Sequence, residues 1–166
     1  MFIELEPIFN NIGEKKTFQF NIDLSNEEFD GIFPFKAPVM VEGVVKNASG
    51  IVTLETNVKM HYEGFCDRCA EKIEKDFSYD FEHTLVLSLN NEENDDLMLV
   101  EDLHFELDPL VIEDIFLSLP TKILCSDDCA GLCPDCGKNL NTGACNCKKE
   151  IDPRLAILQQ LLEDNE

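Results

Sequence analysis

Eight cysteines fall in four pairs: Cys66/Cys69, Cys125/Cys129, Cys133/Cys136 and Cys145/Cys147. Four pairs are the ligands of two tetrahedral thiolate sites. A Cys-x-x-Cys turn can direct both sulfurs at one ion, and in CPDCG Pro134 and Gly137 suit a tight knuckle whose backbone N–H groups point at the sulfurs. Cys145 and Cys147 return after a short loop, which costs little closure entropy, so they close a local site with Cys133 and Cys136. Cys66, Cys69, Cys125 and Cys129 then form the second site. The competing arrangement pairs the two Cys-x-x-Cys knuckles with each other, as zinc ribbons do, and spacing leaves both open.

Four thiolates on one ion leave no position for water, so such sites are structural rather than hydrolytic. Knuckles and even pairing point to two structural zinc ions before an iron–sulfur cluster, which the same thiolates can also hold. A redox role for Cys66 and Cys69 calls for a helix N-terminus that lowers a thiol pKa, whereas this pair lies between two strand patterns. Tetrathiolate sites are negatively charged, and Arg68, Lys138, Lys148 and Lys149 are placed in sequence to offset them. The same four bases are the candidate partner-binding residues.

Other chemistry is sparse. His61, His83 and His104 lie on strand-like segments without partner spacing and read as surface or satisfied core residues, with His61 beside Cys66 as a substitute ligand in a minor alternative. The sequence has no glycine-rich phosphate loop, no Gly-x-Ser-x-Gly and no His-Glu-x-x-His, so a non-enzymatic protein is expected.

The elements that must position the cysteines are mostly strands. TFQFNIDL places Phe18, Phe20, Ile22 and Leu24 on alternate positions, and FIELEPI is a weaker strand candidate. Phe29, Phe33 and Phe35, in a connection broken by Gly31, Pro34 and Pro38, are expected to plug the core. VMVEGVVK and IVTLETNVKMHY flank NASG as an antiparallel hairpin, and the second run alternates through Val52, Leu54, Thr56, Val58, Met60 and Tyr62. The next run, IEKDFSYDFEHTLVLSL, alternates through Ile73, Phe77, Tyr79, Phe81, Leu85, Leu87 and Leu89, with Lys75 and His83 as exceptions. NNEENDD reads as a solvated or disordered excursion, and LMLVEDLHFE as a shorter strand pair.

The period then changes. In LDPLVIEDIFLSLP, Asp108 can cap, Pro109 suits a first helical turn, and Leu110, Val111, Ile115, Phe116 and Leu119 form one face. A second helix is expected from Asp152 and Pro153 through Leu155, Leu158, Leu161 and Leu162. The fold class is therefore α+β: a mainly antiparallel sheet that can curl toward a barrel, two helices and a cysteine-rich zinc-binding segment. A strand-rich core over 1–121 and a cysteine-rich segment with the last helix over 122–166 are expected to pack as a single domain.

At 166 residues and a formal charge of -21 the chain opposes phosphate binding by bulk electrostatics. From Asp76 through Thr121 it carries thirteen acids and no Lys or Arg, whereas Lys122–Arg154 balances five bases against five acids. The opening MFIELEPIFN has early acids and no basic n-region, and no run is apolar for the length of a membrane span, so a soluble cytoplasmic protein without membrane contact is expected.

The order of CDRC, LDPLVIEDIFLSLP, CSDDCAGLCPDCGKNLNTGACNC and DPRLAILQQL resembles the YceD family, bacterial proteins linked to accumulation of large-subunit ribosomal RNA. The match runs from about Val41 to Leu161, most specifically in GLCPDCGKNLN and DPRLAIL; the first forty residues agree only in length and strandedness. The full cysteine set resembles the family's cysteine-rich branch. The resemblance implies a non-catalytic role in making or stabilising the large ribosomal subunit, with Cys66, Cys69, Cys133, Cys136, Cys145 and Cys147 as the motif cysteines. With this charge, the expected partners are large-subunit precursors, met through a basic ribosomal protein rather than through RNA. The alternative is a thiol redox or zinc-responsive protein with reactive cysteines.

Overall fold

The computed structural model describes residues 1–88 and 97–147. Apolar alternation sets its strands. After β1 (Phe2–Glu4) and the short helix α1 (Glu6–Asn10) come β2 (Lys15–Ile22), β3 (Val39–Ala48), β4 (Ile51–Phe65) and β5 (Lys72–Val86). Val52, Leu54, Thr56, Val58, Met60 and Tyr62 of β4 are all buried, so one face of that strand is core along most of its length. β6 (Leu97–Leu99), β7 (His104–Glu106) and α2 (Leu107–Ser118) follow. The class is α+β, with a five-stranded sheet ordered β2-β3-β4-β5-β6, antiparallel except for the β5–β6 pairing.

The NASG hairpin turns on Ser49 and Gly50, with φ of 58° and 90°. Two left-handed residues in a two-residue loop match the twist of the flanking strands, which is why the tip takes Gly. Asn47 fixes this corner: it is 3 % exposed, its Oδ1 accepts from Gly50 N–H at 2.9 Å, and its Nδ2 donates to the Ile8 carbonyl at 2.8 Å.

Several expectations are corrected. FIELEPI is strand only to Glu4, because Pro7 in the first turn suits a helix start. LMLVEDLHFE contains two strands that do not pair: β6 adds parallel to Thr84–Val86 of β5, while β7 pairs antiparallel with β1. Asp108 does not cap α2; Glu106 occupies that position without a side-chain bond, and Leu107 N–H is satisfied by the Met1 carbonyl at 2.9 Å. Phe35 is fully buried against Tyr62 and Phe116 and Phe29 is half-buried against Phe116, but Phe33 is 53 % exposed and plugs nothing. Leu87 lies past the end of β5 and is exposed. NNEENDD, Leu89 and the helix expected from Asp152 lie outside the described residues.

The chain divides into two compact units: Met1–Phe65 with Lys72–Ile123, and the Cys66–Glu71 turn with the segment that starts at Leu124. Among the described residues, the first holds every strand and both α-helices. The second holds all eight cysteines.

Candidate metal centres

The two Cys-x-x-Cys segments fold into the same knuckle. In the first, Ala70 N–H donates to the Cys66 carbonyl at 2.8 Å and Cys66 N–H to the Glu71 carbonyl at 2.8 Å. In the second, Gly137 N–H donates to the Cys133 carbonyl at 2.9 Å and Cys133 N–H to the Lys138 carbonyl at 2.8 Å. The residue after the second cysteine is left-handed in each, Ala70 at φ 57° and Gly137 at φ 71°. Closing the turn this way bundles the two sulfurs on one side.

The sulfurs gather into two groups of four: Cys66, Cys69, Cys125 and Cys129 in one, Cys133, Cys136, Cys145 and Cys147 in the other, each mutually within 4.8 Å. The structure thus brings together the local knot and the distant pairs; it does not bring the two knuckles into one ribbon-type site. Cys66 and Cys129 sulfurs are 3.8 Å apart, Cys69 and Cys125 3.6 Å, and Cys133 and Cys145 3.4 Å. Four sulfurs at about 2.3 Å from a tetrahedral zinc lie about 3.8 Å from one another, whereas a disulfide draws two of them to about 2.0 Å. The donor set and spacing fit zinc, and both clusters can hold a metal ion.

A family model described as "Large ribosomal RNA subunit accumulation protein YceD" matches residues 54–162. The chain belongs to the YceD family. The Bacillus subtilis (strain 168) "Uncharacterized protein YlbN" is 29% identical over 133 residues, covering 78% of this chain and 77% of that one. The Mycobacterium tuberculosis (strain ATCC 25618 / H37Rv) "Uncharacterized protein Rv2926c" is 37% identical over 70 residues, covering 42% of this chain and 34% of that one. The Mycobacterium leprae (strain TN) "Uncharacterized protein ML1660" is 26% identical over 139 residues, 79% of this chain and 62% of that one. No solved structure matches.

In this YceD-family chain Gly131, Leu132 and the loop between Cys136 and Cys145 also position the first cluster. Asn141 Nδ2 donates to the Cys129 sulfur at 3.3 Å, and its Oδ1 accepts from Ala130 N–H at 2.7 Å. Asn139 caps the 3-10 turn Leu140–Thr142 and donates through Nδ2 to Glu71 Oε1 at 2.8 Å. Leu140 N–H reaches the Gly131 carbonyl at 2.8 Å, and Leu132 N–H the Arg68 carbonyl at 3.0 Å. Gly131 is left-handed, at φ 74°, and a Cβ there would stand 3.1 Å from the Arg68 carbonyl oxygen. Sequence reasoning gave Glu71, Asn139 and Asn141 no role; the recurrence of Asn in GKNLNTG, beside a knuckle, was the available signal.

Two of the candidate partner-binding bases serve the cage. Arg68 Nη1 donates to the Cys129 carbonyl at 3.1 Å, and Lys138 Nζ to the Ala144 carbonyl at 2.8 Å. Lys148 and Lys149 lie outside the described residues. His61 joins neither cluster: its Nδ1 is 2.6 Å from Asp76 Oδ1, and that hydrogen bond raises its pKa. His83 contacts Asp114 at 2.8 Å and His104 contacts Glu4.

The thiols divide their charge unequally. Burial pushes the Cys66 thiol up, but backbone N–H groups of Cys125, Arg68 and Cys69 outweigh it and bring it down to about 6. Cys69 receives the Glu71 N–H, yet burial and the three neighbouring sulfurs push it up to about 12. In the second cluster the N–H groups of Cys136 and Asp135 bring Cys133 down to about 7, while the Cys136 sulfur holds Cys147 up at about 12. Four sulfurs this close cannot all ionise against one another's charge; a cation that removes the remaining protons resolves the repulsion.

Proposed function

We propose that this YceD-family chain acts in the accumulation of large-subunit ribosomal RNA as a non-catalytic binding factor. Two structural zinc ions hold its cysteine unit, and a basic assembly component is its partner. The observation that carries the reading is the pair of closed four-sulfur cages in a chain of YceD type. Such cages offer a metal no open position, so the chemistry left to the cysteines is scaffolding. The charge of -21 favours a basic protein over phosphates as the contact.

The thiol-redox alternative fits less well. Cys66 and Cys69 sit in the turn between β4 and β5 rather than at a helix N-terminus, and Cys66, Cys69, Cys129 and Cys133 are buried.

The test is sedimentation of a gentle lysate from cells carrying a tagged chain, with the ratio of large- to small-subunit RNA measured in its absence. Co-migration with large-subunit precursors and a fall in that ratio are expected. Absence from every ribosomal fraction, with an unchanged ratio, overturns the reading.

A further inference from the structure

Among the described residues, β5 is a long strand with one side largely unpaired. It pairs with β4 from Lys72 to Leu85, but its other edge meets β6 only at Thr84–Val86. Among the described residues, nothing pairs with the backbone of that edge from Glu74 to Glu82.

The phase of the ladder says whose backbone is free. Val86 turns its carbonyl away from β4, where it accepts Val100 N–H at 2.8 Å. Backbone direction alternates along a strand in an antiparallel ladder, so odd-numbered residues from Ile73 to Leu85 bond to β4 and even-numbered ones face outward. The bond from Cys66 N–H to the Glu71 carbonyl across the hairpin turn has the same phase. The outward-facing amides therefore belong to Glu74, Asp76, Ser78, Asp80 and Glu82, four acids and a serine.

Side chains alternate with the same period. The acids share the exposed face, where the Asp76 carboxylate is 87 % exposed and Glu74 is 55 % exposed. Lys72 pairs with Glu74 at 2.8 Å and His61 with Asp76 at 2.6 Å, Asp80 accepts from Asn57 at 2.7 Å, and Lys59, opposite Ser78 in the register, reaches Glu42 at 3.8 Å. A cleft of about 520 Å³ on this face sets Asp80 and Glu82 beside Glu42 and Glu55, which are themselves paired with Lys59 and Lys46. On the opposite face Phe77, Tyr79 and Phe81 are half-buried and their rings run in a row, the first two stacked at 5.9 Å and the next pair at 6.1 Å.

We propose that the β5 edge from Glu74 to Glu82 receives an extended basic segment of a partner protein as an added strand, with Lys or Arg on one set of alternate residues and apolar residues between. Main-chain bonds to the outward amides supply affinity. The cations lie beside Glu74, Asp76, Asp80 and Glu82, and the apolar side chains beside the aromatic row. An open edge is a template for pairing, and acids along it reject acidic and neutral strands while admitting a basic one. This deepens the functional reading above and rests on it for the identity of the partner in the cell.

The probe is a synthetic peptide alternating lysine with valine and phenylalanine, set against a peptide of the same composition with its lysines grouped. The full chain is followed by amide hydrogen exchange. The amides of Glu74, Asp76, Ser78, Asp80 and Glu82 are expected to exchange fast in the free protein and to be protected by the alternating peptide. Ser78→Pro removes one outward N–H, changes no charge and leaves the β4 bonds intact, and should weaken binding about tenfold. Glu82→Lys with Asp76→Lys leaves the backbone alone and should weaken it at least as much, which covers the case in which Ser78→Pro fails to fold. Slow exchange of these amides in the free chain, or equal binding of the two peptides, overturns the proposal. If wild type co-sediments with large-subunit precursors and the Lys variant does so equally, the edge is not the docking surface and the functional reading stands. If wild type does not co-sediment, that reading fails whatever the peptide does.

Discussion

The two cysteine clusters share one knuckle design but differ in what they join. The second is local, closed by residues 133–147 with Cys136 exposed and Cys145 and Cys147 half-buried. The first draws on distant stretches, the Cys66–Glu71 turn and the segment after α2, and three of its four sulfurs are buried. A local cage mostly orders its own loop, whereas a cage that spans the sequence closes a long loop and removes far more freedom from the unfolded chain. The same four thiolates therefore carry different structural consequences.

The largest effect that separates the clusters is on stability. Cys66→Ser should lose one zinc of two and destabilise the cysteine unit by several kcal/mol, a fraction of the roughly 10 to 16 kcal/mol apparent in zinc peptides. Cys145→Ser should lose the other ion with a much smaller shift in thermal midpoint, and in the wild type a chelator should strip that exposed site first. Metal analysis and calorimetry of both variants check this. Loss of the same ion in both, or equal midpoints, breaks the comparison.

The cysteine grouping was legible because CPDCG and the short return to Cys145 make one local solution cheap in loop closure, which leaves the distant pairs to each other. The sheet was legible for a similar reason: strict alternation from Val52 to Tyr62 belongs to a strand with one face in the core. Pairing partners were not. Nothing in LMLVEDLHFE says that its halves join different sheets, since three-residue strands carry no periodic signal and long-range register depends on packing. Phe33 resembles Phe35 in composition and neighbours, yet only one points inward. The asparagines were missed because a side-chain amide aimed at sulfur follows from the path of the 3-10 turn, not from residue type.

A smaller effect tests whether the clusters are tuned separately. The Asn141 side-chain amide donates to Cys129 and helps to hold that thiol below its ordinary pKa. Asn141 itself lies in the loop between Cys136 and Cys145, so it belongs by sequence to one cage and by contact to the other. Asn141→Leu should lower metal affinity about 10- to 100-fold at the first cluster, the usual consequence of losing a hydrogen bond to a ligand. Competition with a chromogenic chelator, with the cluster identified by cobalt spectra in the Cys145→Ser background, reads the site affected. An unchanged first-cluster affinity in that background shows that Asn141 acts only by shaping its own loop.

The smallest effect lies in the knuckles themselves. Both need a left-handed residue after the second cysteine; the second uses Gly137, and the first uses Ala70, whose Cβ makes that conformation costly. Ala70→Gly should therefore stabilise the metal-loaded chain slightly, while Gly137→Ala destabilises it by about 1 kcal/mol. No neighbouring atom lies within 4 Å of a Cβ built at Gly137, so the cost there is backbone conformation alone and the two substitutions form a matched pair. Denaturant unfolding at saturating zinc measures both. If Ala70→Gly gives no gain, the conformational relief is offset by the extra freedom of glycine in the unfolded chain, and the knuckles are equivalent in geometry but not in how their sequences stabilise it.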